Sequence, residues 1–216
     1  MKPRAAISWS GGKDCCLALM RAVEAYDVVA MVTMFGEDGS RSRSHGLRPA
    51  VIEAQASRLR VPSYIESCTW PTYTDRFVDL LARVLPHDVT HVIFGDIMGD
   101  AHREWNERVC GHHALEPVMP LWGEPTRFLA REFISRGGVA QFVTVRPPHL
   151  DATWLGREFD GNTLFELESL GVDSCGEFGE YHTVVTSCPA FSSPVHLHMG
   201  RQVESNGCFA VDFEVA

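Results

Sequence analysis

The five-residue segment Ser-Gly-Gly-Lys-Asp at residues 10–14 constrains the fold of this chain more than any other stretch. It follows an apolar run at residues 5–9 that is typical of a buried strand, and residues 15–25 then carry apolar side chains at helical spacing. A glycine turn therefore connects the carboxyl end of a strand to the amino end of a helix. Exposed N–H groups and the helix dipole favour a bound anion there, and two glycines would let the backbone approach it closely.

Charged residues at the end of this turn predict the kind of anion. We expect Lys13 to supply a positive charge for phosphate, and Asp14 to supply a carboxylate that could hold Mg²⁺. The pattern differs from the Walker motif, because no glycine lies five residues ahead of the Gly-Lys pair and no Ser or Thr follows the lysine. The alternative interpretation is an ordinary glycine turn between a strand and a helix.

Alternating strand and helix patterns predict an open parallel sheet with helices on both faces. The predicted strands after the first lie at residues 28–35, 61–65 and 91–94, and the predicted helices between them at 49–59 and 75–85. Beyond these, helices are expected at residues 100–114 and 126–136 and another buried strand at 140–145. In such sheets ligands bind beyond the carboxyl ends of the strands. The turn at Ser10, Phe35 and Gly95-Asp96 all fall on that edge.

The pattern changes in the last third of the chain. A proline-rich connector is expected at residues 117–125, one or two short helices at 151–170, and strands at 181–187, 195–199 and 209–215. These elements predict a smaller C-terminal α+β unit, for which an antiparallel sheet is one arrangement. We expect residues 1–120 to form the nucleotide-binding domain and residues 121–216 a smaller domain that completes the active-site cleft.

Composition narrows the functional classes. A formal charge of −9 argues against broad binding to nucleic acid or to an anionic membrane. The sequence has no apolar run of membrane-spanning length and begins without an apolar signal segment. Its seven cysteines include no Cys-x-x-Cys pair, which favours a reducing compartment and weakens a zinc-ribbon or iron–sulfur site. We therefore expect a cytoplasmic enzyme with no membrane partner.

A second unusual segment, Gly-Val-Asp-Ser-Cys-Gly-Glu-Phe-Gly-Glu-Tyr-His-Thr, occupies residues 171–183. Its glycines allow a tight loop, and the carboxylates of Glu177 and Glu180 could face a metal or a basic substrate. From composition alone, a solvated acidic turn before a strand is the simpler interpretation.

The two segments together resemble a known family. The turn is similar to the PP-loop of the ATP pyrophosphatases (adenine nucleotide alpha hydrolases), whose signature is Ser-Gly-Gly-x-Asp-Ser. The acidic segment resembles the Gly-Glu-x-Gly-Glu-[Tyr/Phe]-x-Thr motif of one branch, the diphthine–ammonia ligase family and its bacterial relatives. Further matches in order are His45-Gly46, Phe94-Gly95-Asp96, Arg103-Glu104-Trp105 and Pro120-Leu121-Trp122-Gly123.

The resemblance extends from residue 7 to about residue 191, with three departures. Cys15 stands where the superfamily usually has serine, Phe178 where glycine is common, and His182 where glutamate is common. These differences bear on a phosphate contact at Cys15 and on any metal or ammonium role at His182.

The resemblance implies ATP-dependent amidation. A carboxylate would attack the α phosphorus of ATP to give an acyl-adenylate and pyrophosphate, and ammonia would then displace AMP. It implies that Asp14 and Asp96 hold Mg²⁺, that Arg103 pairs with the acceptor carboxylate, and that adenine lies near Phe35. The residues that it implies for nucleotide binding are Ser8, Ser10, Gly11, Gly12, Lys13, Asp14, Cys15, Phe35, His45 and Gly95. Its catalytic residues would be Lys13, Asp14, Asp96, Arg103, Glu177 and Glu180, the last two binding ammonium and accepting its proton.

The partners implied are ATP, ammonium and an acceptor carboxylate. The acceptor would be diphthine on elongation factor 2 if the source organism makes it, and otherwise a small molecule or protein that the sequence does not identify. Nucleic acid is not an expected partner, and a homo-oligomer is compatible with the sequence. Two alternatives remain: a PP-loop transferase that modifies tRNA, and a non-catalytic or regulatory ATP- or AMP-binding protein.

Overall fold

The computed structural model describes residues 1–205 and 207–216, which form two sheets and their surrounding helices. In chain order the elements are β1 Arg4–Ser8, α1 Lys13–Ala22, β2 Asp27–Phe35, α2 Pro49–Leu59, β3 Ser63–Ser67, α3 Tyr73–Ala82, β4 His91–Ile93, α4 Asp100–Gly111, β5 Glu116–Val118, α5 Thr126–Ser135, β6 Val139–Val145, α6 Gly161–Ser169, β7 Tyr181–Ser187, β8 Leu197–Ser205 and β9 Cys208–Val215. No helix among the described residues is both long enough and apolar enough to cross a membrane.

The first sheet has the strand order β3-β2-β1-β4-β5, and every pair in it is parallel. Successive side chains of a strand point to opposite faces. Ile7 accordingly packs with Leu17 of α1 in one apolar cluster, while Ala6 packs with Phe77 and Leu80 of α3 in another. Helices cover both faces, which confirms the predicted open parallel sheet.

The strand order creates a crevice beside the central strand. The chain proceeds outward from β1 through β2 and β3, then returns to the other side of β1 for β4 and β5. Ligands of open α/β sheets bind where the order reverses in this way, outside the carboxyl ends of the strands. The turn after β1 and Gly95 after β4 meet there. A Cβ on Gly95 would lie 2.7 Å from the backbone nitrogen of Cys15, so only glycine allows this approach.

The second sheet has the order β7-β6-β9-β8 and is antiparallel throughout. It forms the smaller C-terminal α+β unit expected from the sequence, with α6 beside it. Asp160 begins α6 as a capping box, accepting hydrogen bonds from the backbone of Asn162 and Thr163. The predicted connector at residues 117–125 is wrong at its start, because Pro117 lies in β5. This strand is at the sheet edge, where a proline is tolerated.

Gln55 joins the two sheets through a fully buried amide. Its Nε2 donates to the carbonyl oxygens of Gly11, at 3.1 Å, and Val185, at 2.7 Å. Its Oε1 accepts from the indole nitrogen of Trp9 at 2.7 Å. The backbone nitrogen of Val185 in β7 also donates to Gly11 at 2.8 Å. The second unit is therefore attached directly to the glycine turn.

Replacing Gln55 with leucine should lower the free energy of unfolding by about 2–4 kcal/mol, because the buried indole N–H of Trp9 would lose its acceptor. Urea denaturation followed by circular dichroism measures this change. Gln202→Leu on the exposed strand β8 is the matched control and should change stability by less than about 0.5 kcal/mol. Equal unfolding midpoints for the two variants would contradict the joining role of Gln55.

Candidate active site

A cavity of about 660 Å³ opens at the carboxyl edge of the parallel sheet. The turn after β1 and the segment after β4 line it on the side of the parallel sheet, and residues 175–177, 179 and 181–183 line it from the second unit. Nine of the residues predicted from the sequence line this cavity: Ser8, Ser10, Lys13, Asp14, Cys15, His45, Gly95, Asp96 and Glu177. The cavity is within the size range of small-molecule sites.

The two glycines of the turn lie beneath the cavity surface. Gly11 has a φ of +87°, which favours glycine, and a Cβ there would collide with Leu47. A Cβ on Gly12 would collide with the imidazole ring of His45. The direction in which a Cβ would point is thus filled by protein side chains at both glycines.

Phe35 is also outside the cavity. Its side chain is fully buried in the core, and the backbone around it is already hydrogen-bonded. The carbonyl of Met34 accepts from Arg43 at 2.9 Å and that of Phe35 from Cys68 at 3.1 Å, while the nitrogen of Gly36 donates to Arg41 at 2.8 Å. The end of β2 therefore does not offer a base the Phe35 ring, and each of these backbone groups already has one partner.

Arg103 and Glu180 are likewise not brought to the cavity. Arg103 donates to Asp100 at 2.9 Å, and its guanidinium lies 5.5 Å from the centre of the Trp122 ring. Glu180 lines a second, shallower cavity of about 490 Å³ on the other side of its loop. Of the two motif glutamates, only Glu177 faces the main cavity.

The side chain of Lys13 is 3% exposed and connects the turn to the second unit. Its ammonium donates to Asp14 at 2.9 Å and to the carbonyl oxygen of Cys175, and lies 4.9 Å from the centre of the Tyr181 ring. Burial opposes the charge more than any single neighbour favours it, but Asp14, Tyr181 and Cys175 together outweigh burial, and the pKa of Lys13 is raised. The backbone nitrogen of Lys13 donates to Thr183 Oγ1 at 3.1 Å. Lys13 therefore has fixed protein partners and does not stand free.

Cys15 turns its side chain back toward the start of α1. Its Sγ lies 3.1 Å from the carbonyl oxygen of Gly12 and 3.3 Å from Ser10 Oγ. Burial raises the pKa of the Cys15 thiol to about 11, so the group stays protonated near neutral pH. Ser10 lines the cavity, and its hydroxyl oxygen lies 3.4 Å from the backbone nitrogen of Gly12.

Two neutral imidazoles line the cavity beside the turn. The rings of His45 and His182 lie 4.6 Å apart, centre to centre. Burial lowers the pKa of His45 to about 4 and that of His182 to about 3. The Nδ1 of His45 is 2.6 Å from the carbonyl oxygen of Thr183, so Nδ1 must carry the proton. These rings add hydrogen-bonding groups but no positive charge.

Glu177 is the carboxyl group best suited to exchange a proton. Its pKa is raised to about 7, chiefly by burial and then by the negative charge of Asp14. Asp173 and Asp96 raise it further, while Lys13 lowers it. A carboxyl group that titrates near neutral pH in a cavity is a typical general base.

The carboxylates of Asp14 and Asp96 fit the donor set of Mg²⁺. Both line the main cavity, and Asp96 is oriented by His102 Nδ1 at 3.0 Å and by Asn106 Nδ2 at 3.1 Å. The described residues contain no cluster of three or more His, Cys, Asp or Glu side chains placed to hold a metal. Mg²⁺ commonly needs only one or two carboxylates, with substrate phosphates and water completing its shell.

One side of the cavity is aromatic and was not predicted from the sequence; its residues are Trp70, Tyr73, Phe94 and Trp105. Trp70 is 70% exposed, and the guanidinium of Arg43 lies 4.6 Å from its ring centre. The rings of Tyr73 and Trp105 are 5.6 Å apart. The signal was present in the sequence, since Trp70 and Tyr73 closely follow a strand that ends at the ligand-binding edge.

The fold and the site define a class: a doubly wound α/β protein with a PP-loop turn where its strand order reverses. The family model for the diphthamide synthase N-terminal domain matches residues 3–117, and that for the diphthamide synthase C-terminal domain matches residues 125–212. The chain therefore belongs to the diphthamide synthase family, the family of the diphthine–ammonia ligases.

Curated relatives support this assignment. The diphthine–ammonia ligase of Bos taurus is 30% identical over 89% of this chain and 82% of its own length. That of Danio rerio is 29% identical over 93% of this chain and 89% of its own length. A solved structure described as a predicted subunit of a tRNA methyltransferase from Methanocaldococcus jannaschii covers 86% of this chain and 98% of its own. Its 13% identity and TM-score of 0.43 are too low to support an argument.

The raised pKa of Glu177 predicts a pH-dependent cost in stability. The folded state holds this proton more tightly than the unfolded chain does, so stability should fall as the pH rises from about 4.5 through about 7. Glu177→Gln should therefore be more stable than the wild type at pH 8, by on the order of 1–3 kcal/mol, and nearly equal to it at pH 4.5. Thermal unfolding at the two pH values measures the difference. A variant that is less stable than the wild type at pH 8 would contradict the burial of this carboxylate.

Proposed function

We propose that this protein is an ATP-dependent ligase that forms an amide from a carboxylate and ammonia through an acyl-adenylate. One observation carries the proposal. A single cavity contains the PP-loop turn, the carboxylates of Asp14 and Asp96, and Glu177, whose pKa is raised to about 7. Membership of a family whose curated relatives are named diphthine–ammonia ligase supports the same reaction.

The triphosphate would bind in the polar half of the cavity, at Ser10 and the amino end of α1. The helix dipole favours negative charge at that end. Asp14 and Asp96 would hold Mg²⁺, which when bound offsets the charge of the phosphates and of the departing pyrophosphate. The ammonium of Lys13, fixed by Asp14 and Cys175, would contribute positive charge from beneath this half.

The base would lie against the aromatic half of the cavity. A planar, uncharged ring system stacks well on aromatic side chains, and Trp70 and Tyr73 supply such a surface at the same edge of the sheet. Burial raises the pKa of Tyr73 to about 12, so its hydroxyl remains a hydrogen-bond donor. The end of β2 near Phe35 is a poorer position because its backbone groups already have partners.

The chemistry would proceed in two steps. An oxygen of the acceptor carboxylate attacks the α phosphorus, the bond from that phosphorus to the bridging oxygen breaks, and pyrophosphate leaves. The nitrogen of ammonia then attacks the acyl carbon, AMP leaves with the former carboxylate oxygen, and the nitrogen loses a proton to give the amide. Holding the acceptor in line with the α phosphorus supplies much of the rate.

Glu177 would bind ammonium and accept its proton, because only neutral ammonia is a nucleophile. The surroundings favour a cation at this position: Asp14, Asp96 and Asp173 all add negative potential at Glu177. His45 and His182 are neutral and do not repel it. The acceptor would be diphthine if the organism makes it, as the names of the relatives indicate.

The two-unit organisation would serve this reaction. We propose that residues 1–120 form the nucleotide-binding domain and residues 121–216 the smaller domain that closes the cleft. The second unit contributes Glu177, while the parallel sheet contributes Asp14 and Asp96. Each unit would thus hold one of the two small substrates.

Incubation with Mg²⁺ and ATP should release AMP and pyrophosphate, and ammonium should stimulate the release. Asp14→Asn should lower the rate by about 100-fold or more, because a carboxylate that faces the metal and phosphates becomes neutral. Asp79→Asn on the exposed face of α3 is the control and should retain the wild-type rate. Chromatography of the nucleotides measures both. Formation of ADP would contradict the mechanism, and tight binding of ATP without turnover would favour a regulatory nucleotide-binding protein.

Trp70→Ala should weaken ATP binding about 5- to 100-fold through loss of a stacking surface, without changing the affinity for inorganic tripolyphosphate. Isothermal titration calorimetry measures both affinities. Phe165→Ala removes an aromatic side chain that is equally exposed, at 70%, and is not among those lining the cavity, so it should change neither. If Trp70→Ala leaves ATP affinity unchanged, the base binds elsewhere.

A further inference from the structure

The loop that carries Glu177 is organised by a carboxylate that precedes it. Asp173 Oδ1 accepts hydrogen bonds from the backbone nitrogens of Cys175, at 2.9 Å, and Glu177, at 3.2 Å. Its Oδ2 accepts from the hydroxyl of Thr126 at 2.6 Å, which fixes the carboxylate to the start of α5. Asp173 thus holds the backbone of the loop from one side.

Glu180 holds the same loop from its other end. Its Oε2 accepts from the backbone nitrogen of Phe178 at 3.1 Å, and its Oε1 lies 3.4 Å from the backbone nitrogen of Asp173. The backbone carbonyl of Glu180 accepts from Arg146 at 2.8 Å. Its carboxylate therefore faces loop amides and the second cavity, whereas Glu177 faces the main cavity.

Two further contacts anchor the loop to the core. The hydroxyl of Tyr181 donates to the carbonyl oxygen of Ser174 at 2.7 Å, and Lys13 donates to that of Cys175. Between these anchors lie Gly176 and Gly179, both with positive φ. Glycines leave the backbone free to adopt other conformations. Two backbone turn bonds, from Gly176 to the carbonyl of Asp173 and from Gly179 to that of Gly176, select this one together with the hydrogen bonds of the two carboxylates.

We propose that Asp173 and Glu180 are positioning residues, which bind the amides of residues 173–178 and so keep the Glu177 carboxylate pointed into the cavity. The two glutamates of the motif then have different roles: Glu177 meets the substrate, and Glu180 holds the loop. The catalytic part of this inference rests on the proposed function, through the role given there to Glu177. The structural part does not.

Loss of either positioning residue should also shift the titration of Glu177. The charged groups that face Glu177 are Asp14 and Lys13 of α1, Asp96 after β4, and Asp173 of its own loop. A loosened loop would expose Glu177 to water and move its pKa down toward the ordinary value. Removing Asp173 would in addition remove one of the negative charges that raise it.

Hydrogen exchange of the loop amides in the full chain tests the structural part. Glu180→Ala and Asp173→Ala should speed exchange at the amides of Glu177 and Phe178 by about ten-fold or more. Asp173→Asn keeps Oδ1 as an acceptor and should restore much of the protection. Glu166→Ala is the matched control, because the exposed carboxylate of Glu166 in α6 pairs with Arg157 instead of with the loop amides. It should leave the exchange of those two amides unchanged, and wild-type exchange in both Glu180→Ala and Asp173→Ala would overturn the proposal.

The pH profile of ammonium-dependent AMP formation tests the catalytic part. In Glu180→Ala and Asp173→Ala the apparent pKa of the rising limb should move down from about 7, toward that of an exposed glutamate. If Glu180 instead contacted ammonium, its variant would raise KM for ammonium while the pH profile and exchange stayed as in the wild type, and the proposal would be wrong. If ammonium never stimulates AMP formation, the proposed function fails, and the exchange result still decides the role of the two carboxylates.

Discussion

The attachment of the second unit to the glycine turn is the interaction on which the rest of the structure depends. Strand β7 and its preceding loop engage the turn through Gly11, through both nitrogens of Lys13, and through the buried amide of Gln55. A buried ammonium is costly unless it is paired and hydrogen-bonded. Because Asp14 and the carbonyl of Cys175 meet that requirement together, the Lys13 charge is satisfied only when the two units are in contact.

This attachment also determines the electrostatics of the cavity. It brings Glu177 of one unit beside Asp14 and Asp96 of the other, and the resulting negative charge, added to burial, raises the pKa of Glu177. The same closure buries His45 and His182 and keeps them neutral. A cavity of this kind favours a cation near Glu177, while the turn and the dipole of α1 favour an anion a short distance away.

Much of the fold could be predicted because local patterns determine it. Helix α2 occupies residues 49–59 as predicted, since proline at the first turn and an apolar face are both readable from neighbouring residues.

The site was predictable where it depends on strand ends, as for Ser10 and Asp96. It was not predictable where long-range packing decides: Phe35 is at the correct edge but buried, and Arg103 is beside the cavity but paired with Asp100. The aromatic side was missed because Trp70 belongs to no motif.

The sequence by itself determined the order of the elements and the edge of the sheet where a site must lie, because apolar periodicity and strand direction are local properties that place every strand end on one side. It also determined which family the chain belongs to. Only the tertiary structure decided which way each functional side chain points. Residues 173–180 form a glycine-containing loop without a periodicity that would assign Glu177 and Glu180 to faces. Their directions follow from hydrogen bonds to Thr126, Lys13 and Arg146, which are distant in the chain and come together only in the folded protein.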